Sequence, residues 1–262
     1  MSILDEIAGY AKLRVEENKK SCSLDELKKR CEYIEKSGEL AFEKALGKKE
    51  LSYILECKKA SPSKGIIAEN FDYMSIAKEY EKIGADAISV LTEPKWFLGS
   101  DEYLRSIAAA VKIPVLRKDF VVDEYMIYEA KTLGASAVLL IVSILSKEQL
   151  REYLDICKEL ELSALVEIHD ETESVTAIEA GAKIIGVNNR NLADFSVDTG
   201  NAGRLRDKIP KDIIFVSESG VKKREDIEAI RSFGADAVLI GETMMRATDK
   251  AAMIAELKRG SL

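Results

Sequence analysis

Apolar residues along this chain fall into short runs separated by amphipathic stretches. Four of the runs share one introduction: Ile83-Gly84-Ala85-Asp86-Ala87-Ile88, Leu133-Gly134-Ala135-Ser136-Ala137-Val138, Ala180-Gly181-Ala182-Lys183-Ile184-Ile185 and Phe233-Gly234-Ala235-Asp236-Ala237-Val238. Each copy reads as helix end, turn and strand start. The glycine suits the left-handed residue that closes a helix, and the branched run after it suits a strand covered on both faces. The copies start about 50 residues apart, room for two βα units each. Four more apolar runs lie between them, at 51–57, 113–116, 163–168 and 212–217, which brings the expected strands to eight.

Ser146-Lys147-Glu148-Gln149 and Asp170-Glu171-Thr172-Glu173 read as capping signals before the fourth and fifth helices of this series. Strand–helix alternation with short connections implies parallel strands and right-handed crossovers. Eight such units close most naturally into a (β/α)8 TIM barrel of the α/β class, with an open doubly wound sheet as the alternative. The chain is thus expected to be a single barrel domain over 1–262, the barrel itself at 49–262 and a helical extension at 1–48. The extension carries a capping box at Ser23-Leu24-Asp25-Glu26, and it either plugs the bottom of the barrel or lies as a lid near a substrate.

Composition narrows the function. With 47% hydrophobic and 32% charged residues the chain can bury a core, and a net charge of -7 without a basic stripe argues against nucleic acid as a partner. Neither a signal peptide nor an apolar run long enough for a bilayer is present, so the expectation is a cytoplasmic protein with no membrane partner. Cys22, Cys31, Cys57 and Cys157 lack the spacing of a zinc site or a disulfide framework and read as reduced, mostly buried thiols. His169 is the single histidine, which is read as ruling out Ser/His/Asp and multi-histidine metal constellations unless carboxylates do all the binding, and leaves catalysis to Lys, Glu and Asn.

In such barrels the reacting groups come from the carboxyl ends of the strands. The first strand ends Leu55-Glu56-Cys57-Lys58, where the period of two puts Glu56 and Lys58 on one side and Cys57 on the other. The third ends Leu116-Arg117-Lys118-Asp119-Phe120, the fifth Val166-Glu167-Ile168, the sixth Val187-Asn188-Asn189-Arg190 and the seventh Val216-Ser217-Glu218-Ser219-Gly220. All are read as polar groups at one rim. Buried there, the lysines and carboxylates would have to neutralise one another, and the crowding would shift their pKa values. Ser219-Gly220 and Gly241-Glu242-Thr243 offer exposed backbone N–H groups for one phosphate, and Ser61 lies in a Ser-Pro-Ser-Lys-Gly loop after the first strand. Trp96, Phe97 and Phe120 are either an aromatic wall for a flat substrate or loop anchors.

The phrases Glu56-Cys57-Lys58-Lys59-Ala60-Ser61-Pro62-Ser63-Lys64-Gly65, Leu91-Thr92-Glu93, Phe97-Leu98-Gly99-Ser100, Lys118-Asp119-Phe120, Leu165-Val166-Glu167-Ile168-His169, Gly186-Val187-Asn188-Asn189-Arg190-Asn191-Leu192, Ser217-Glu218-Ser219-Gly220 and Leu239-Ile240-Gly241-Glu242 occur in order across nearly the whole chain. Together they resemble those of the indole-3-glycerol-phosphate synthase family. The resemblance implies a lyase of tryptophan biosynthesis that needs no cofactor and converts 1-(2-carboxyphenylamino)-1-deoxyribulose 5-phosphate to indole-3-glycerol phosphate, CO2 and water. It also implies that Lys118 meets the ribulose carbonyl, that Glu167 and Lys58 share the dehydration, and that Glu56 orients the lysines. Asn188 and Glu218 would hold substrate hydroxyls and the catalytic lysine, and Arg190 the anthranilate carboxylate. Ser219, Gly220, Gly241 and Glu242 would cradle the phosphate. Ser217, Leu98 and Trp96 depart from the residues common in the family, and none removes an inferred chemical group.

The expected partner is a small phosphorylated substrate, and the expected state is a monomer or weak homo-oligomer. Two competing readings remain from the sequence: a sugar-phosphate aldolase using Lys118 or Lys58 as a Schiff base, and a phosphate-binding module without catalysis.

Overall fold

A computed structural model describes residues 2–36, 38–191 and 195–259. Among these residues, eight parallel strands close into a barrel: β1 (Ser52–Cys57), β2 (Ala87–Leu91), β3 (Val115–Lys118), β4 (Ala137–Ile141), β5 (Ser163–Ile168), β6 (Ile184–Asn188), β7 (Ile214–Glu218) and β8 (Ala237–Ile240). Each strand pairs with its neighbours in sequence, and β1 pairs with β8 to close the ring. Helices α4 (Tyr73–Lys82), α5 (Asp101–Ala110), α6 (Tyr125–Thr132), α7 (Lys147–Glu159), α8 (Glu171–Ala180), α9 (Gly200–Arg206) and α10 (Arg224–Ser232) connect successive strands, and α11 (Glu242–Arg246) and α12 (Lys250–Lys258) follow the last. The open sheet is therefore excluded. The continuous apolar runs follow from this geometry, because barrel strands are covered inside by one another's side chains and outside by helices.

β3 and β7 begin two residues later than the apolar runs suggest. Before β3, the amides of Lys112 and Ile113 donate to the Glu81 carboxylate, and Pro114 has no N–H to offer a ladder. Before β7, the amide of Ile213 closes a turn on the Pro210 carbonyl.

The fourfold phrase performs as expected at its glycines. Gly84, Gly134, Gly181 and Gly234 have φ of 82°, 86°, 98° and 78°, the left-handed conformation that ends a helix. The residue two places on also clasps the neighbouring strand in three of the copies: Asp86 accepts from the Tyr53 amide, Asp236 from the Phe215 amide and the Ser136 hydroxyl from the Val115 amide. Ser146 and Gln149 form a full capping box. Asp170 caps α8 alone, since the carboxylate of Glu173 is taken instead by the His169 amide.

The first helices occupy both positions weighed for them. α3 (Ala41–Leu46) lies against the strand starts: its Glu43 amide donates to Ser163, and Ser52 donates to the Ala45 carbonyl, with Phe42 and Leu46 fully buried. It plugs the floor. α1 (Ile3–Ser21) lies at the opposite end, where Arg14 forms a two-bonded ion pair with Asp119 just past β3, at 2.6 and 3.1 Å. α2 (Leu24–Glu32), whose Ser23 capping box is present, packs beside α6, with the Cys31 thiol on the Tyr128 carbonyl.

Candidate active site

At the carboxyl ends of the strands lies a cavity of about 610 Å³. It is walled by strand ends, by the loops after β1, β6 and β7, and by Ile3, Leu4 and Ile7 of α1. Glu56, Lys58, Ser61, Phe97, Lys118, Phe120, Glu167, Asn188, Arg190, Glu218, Ser219, Gly220, Gly241 and Glu242 all line it. The strand period explains the gathering: alternate residues of a barrel strand face inward, and the last inward residue of each meets the same opening.

Two ion-pair groups organise the floor of this cavity. Lys118 at the end of β3 reaches across the barrel, its Nζ 2.9 Å from Glu167 Oε2 and 3.0 Å from Glu218 Oε2. Lys58 Nζ lies 2.7 Å from Glu56 Oε1, whose other oxygen accepts from Ser89. Asn188 links the first group to the upper loops: its Nδ2 donates to Glu167 Oε1, while its Oδ1 accepts from the Ser219 hydroxyl and the Arg190 amide.

Burial works against the charge on Lys118, but Glu167, Glu218 and Glu56 outweigh it and hold the ammonium pKa above its ordinary value. The two carboxylates that share this cation diverge. Burial also opposes ionisation of Glu167, yet Lys118 and His169 keep its pKa below the usual range. Glu218 is pushed up to about 7, first by burial and then by the charges of Glu167 and Glu56, despite Lys118. One oxygen of Glu218, Oε1, is buried without a hydrogen-bond partner. A cation is thus held firmly charged beside a carboxylate poised between protonation states, the pairing that acid–base chemistry near neutral pH uses.

Above them, Ser219 and Gly220 take consecutive left-handed conformations, φ 67° and 98°, in the loop after β7. Successive residues of this kind present backbone N–H groups to an anion. Gly220 has no room for a side chain, since a Cβ would stand 2.6 Å from Thr199 Cγ2. Gly241 is equally constrained, its Cβ position lying against Glu56 Oε1 and 2.9 Å from Lys58 Nζ. The Phe97 and Phe120 rings stand 6.0 Å apart in the cavity wall. Arg190 lines the same wall and donates from Nη1 to the Phe195 carbonyl, while Leu192 of the Asn-Asn-Arg-Asn-Leu phrase lies outside the described residues.

Several rim residues turn away. Arg117 points outward to Asp101, Glu129, Thr92 and the Met126 carbonyl, whereas Asp119 does line the cavity but is committed to Arg14 and Thr92. Asn189 braces the seventh strand from outside through Ser217 and the Ser219 carbonyl. The reason is the strand period, which sends neighbours of an inward residue to the helix side. Trp96 likewise leaves the wall and packs edge-on against Tyr10 of α1, centroids 5.7 Å apart, so it anchors a loop.

Other contributors carried little signal in the sequence. Gly186 on β6 leaves the space that Glu218 Oε1 occupies; a side chain there would overlap it, and a glycine inside an otherwise branched strand was the available hint. Glu93, fully buried, accepts from the amides of Lys95, Trp96 and Phe97 and so sets the loop that presents Phe97. Among the described residues no three His, Cys, Asp or Glu side chains are grouped to hold a metal ion, and no helix is long and apolar enough to cross a membrane.

A family model described as Indole-3-glycerol phosphate synthase matches residues 4–257. A curated relative of that name from Ruminiclostridium cellulolyticum is 56% identical over 259 residues, 99% of each chain. Another, from Endomicrobium trichonymphae, is 51% identical over 256 residues, 98% of this chain and 99% of its own. Among solved structures, an N-acetylmannosamine-6-phosphate 2-epimerase from Clostridium perfringens matches with TM-score 0.60 at 15% identity, covering 74% of this chain and 88% of that one. A thiamine phosphate pyrophosphorylase from Pyrococcus furiosus does so with TM-score 0.60 at 15% identity, covering 80% and 94%. These two show the fold alone.

Proposed function

The chain belongs to the indole-3-glycerol phosphate synthase family, and from that premise we propose how its barrel mouth carries the reaction. The protein is a carboxy-lyase of tryptophan biosynthesis. It closes, decarboxylates and dehydrates 1-(2-carboxyphenylamino)-1-deoxyribulose 5-phosphate to indole-3-glycerol phosphate.

Ring closure requires the ring carbon that bears the carboxylate to attack the ribulose carbonyl, whose oxygen becomes negative as the bond forms. Lys118 supplies the cation for that oxygen. Its pairing with Glu167 and Glu218 fixes the Nζ before substrate arrives, so little reorganisation remains for the transition state. Loss of CO2 then leaves a hydroxyl on the former carbonyl carbon. Its departure as water needs an acid, and the neighbouring CH2 must give up a proton to a base. Lys58, held by Glu56, and Glu167, held by Asn188, are the pair for this step.

Substrate placement follows from the cavity walls. Phe97 and Phe120 flank the anthranilate ring, and Arg190 and Ser61 approach its carboxylate and the sugar. The N–H groups of Ser219, Gly220, Gly241 and Glu242 take the phosphate. A Schiff-base mechanism fits less well, because it starts from a neutral amine and the carboxylates around Lys118 favour the charged one. We further take the chain to work in the cytoplasm as a monomer or weak homo-oligomer.

The observation that carries the reading is one ammonium within 3.0 Å of two buried carboxylates, in a cavity also lined by the left-handed Ser219 and Gly220. The test is direct. Purified protein given the carboxyphenylamino sugar phosphate is expected to develop indole fluorescence, and persistent absence of that signal overturns the reading.

A further inference from the structure

The phosphate cradle is made of two separate pieces of backbone, and the barrel ladder does not reach far enough to hold them together. β7 and β8 pair at three positions, the last of them Glu218 with Leu239. Beyond that rung the chains part. One runs through left-handed Ser219 and Gly220 to Val221 and Lys222, and the other through Ile240 and Gly241 into α11. All of these residues line the cavity, as do Glu242 and Thr243. Among the described residues a single hydrogen bond rejoins the two pieces, from the Thr243 hydroxyl to the Val221 carbonyl.

The loop after β7 is otherwise fastened from its far side. The Ser219 hydroxyl donates to Asn188 Oδ1 at 2.9 Å, Asn189 Nδ2 donates to the Ser219 carbonyl at 3.1 Å, and the space beside Gly220 is filled by Thr199 and Val197. Next along, the Lys222 amide donates to the Asp226 carboxylate of α10. None of these contacts reaches α11. That helix is five residues long, little more than one turn, and so short a helix has almost no stiffness of its own. Buried Met244 and Met245 hold it to the barrel, but apolar attraction is non-directional. Its register against the loop after β7 is left to the Thr243 hydroxyl.

Register matters because of what the cradle must grip. A phosphate monoester dianion only accepts hydrogen bonds, and strong charge-assisted bonds to it need N–H groups at about 2.7–2.9 Å. Donors on two segments satisfy that together only while the gap between the segments is fixed. If one segment drifts, the bonds on its side lengthen and weaken. The Thr243 hydroxyl has one proton, and Val221 takes it. Toward a dianion the hydroxyl then presents lone pairs alone, which the dianion repels, so Thr243 serves by holding and not by contact.

We propose that Thr243 is a positioning residue for substrate recognition: its hydroxyl pins the start of α11 to the loop after β7 and so sets the width of the phosphate cradle. Thr243 thereby contributes to the preference for a phosphate ester without bonding to it. This deepens the proposed function and rests on the reading that puts the substrate's phosphate between these two segments.

The test is Thr243→Val, which keeps the shape of the side chain and removes the hydroxyl, assayed on the carboxyphenylamino ribulose 5-phosphate and on the same compound without its phosphate. With the ester, KM is expected to rise about tenfold, and inorganic phosphate to inhibit about tenfold more weakly. With the phosphate-free sugar, kcat/KM is expected to stay within about twofold of the wild-type value, which shows the rest of the site folded and in place. Where turnover of that sugar is slow, its inhibition constant against the ester carries the same comparison. Thr243→Ser returns the hydroxyl and is expected to restore the preference for the ester. A wild-type KM for the ester in Thr243→Val overturns the proposal. So does an equal loss on both compounds, which marks a merely structural role, or a Ser variant as poor as Val. A wild-type protein that treats the two compounds alike and ignores inorganic phosphate fails the placement of the phosphate itself, before the pin is at issue.

Discussion

Three consecutive ionisable residues mark the end of β3, Arg117 and Lys118 within it and Asp119 just past it, and the two clusters they join behave differently. Arg117 turns outward and bonds Thr92, Met126, Asp101 and Glu129, while Asp119, at the edge of the cavity, is taken by Arg14, Thr92 and the Phe120 amide. Apart from Arg14 Nε, every buried polar side-chain atom there has a partner. Inward, Lys118 has its two carboxylates, but Glu218 keeps an oxygen buried and bare. A buried group left unsatisfied costs roughly 1–3 kcal/mol and is uncommon in native proteins. Each cluster thus keeps one bare buried atom, and what separates them is place: Lys118, Glu167 and Glu218 line the cavity while Arg117 is turned to the helices, a reaction centre and a strut built on the same strand.

This contrast breaks most sharply at Lys118. Lys118→Met is expected to lower kcat by about a thousandfold or more while substrate affinity stays within about tenfold, because the contact gains most of its strength as charge develops. Near-wild-type turnover would remove Lys118 from the mechanism. Arg117→Met should do the reverse. It strands Glu129 and Asp101 without their cation while Asp119 keeps Arg14, at a cost of about 3–5 kcal/mol in stability, seen as a lowered Tm and urea midpoint, with activity per folded molecule falling far less. An unfolding curve matching wild type would show the outer cluster to be ornamental. Gly186→Ala is smaller: the added methyl overlaps Glu218 Oε1, and the displaced carboxylate should lower kcat roughly tenfold to a hundredfold at nearly unchanged Tm.

The two clusters should also have opposite acid dependence. Glu218 has its folded pKa raised to about 7 from its ordinary value near 4.5, so the folded state holds the extra proton; stability falls as pH rises through that window and is level above it. The drop is on the order of 3 kcal/mol. Asp119 has its pKa depressed, burial being outweighed by Arg14, so its contribution is complete above its ordinary value near 3.8 and is lost as pH falls through the folded value. Urea unfolding from pH 3 to 8 should show both limbs in the wild type and only the acid limb in Glu218→Gln. A slope between pH 4.5 and 7 that survives this substitution would contradict the account of Glu218.

The barrel was legible because its signals are local and repeated. A glycine that must be left-handed at Gly84, Gly134, Gly181 and Gly234 marks four helix ends without knowledge of the rest of the chain. The candidate site was legible through interruption, since Glu56, Glu167 and Glu218 end apolar runs where charge has no reason to be unless it is paired. Direction was harder. Reading Arg117, Lys118 and Asp119 as one rim ignored the alternation already applied to Glu56, Cys57 and Lys58. Trp96 stayed open between wall and anchor because an aromatic beside a cavity and one beneath a helix look alike in sequence, and only the position of Tyr10 separates them. Gly186 matters through its distance to Glu218, which no spacing along the chain encodes.

One detail of the sheet gives the outer cluster a further meaning. β3 pairs with β4 only at Leu116 with Ala137 and Arg117 with Val138, whereas β4 and β5 pair along five positions, Ala137 to Ile141. Lys118 therefore stands beyond the last rung on that side, where backbone hydrogen bonds have run out. What stiffens the seam is a splint of ions, with Arg117 tying β3 to α5 and α6 and Arg14 tying it to α1. Charges lose less to desolvation as temperature rises, so heat should slacken the neighbouring seams sooner than the one that carries the reacting ammonium.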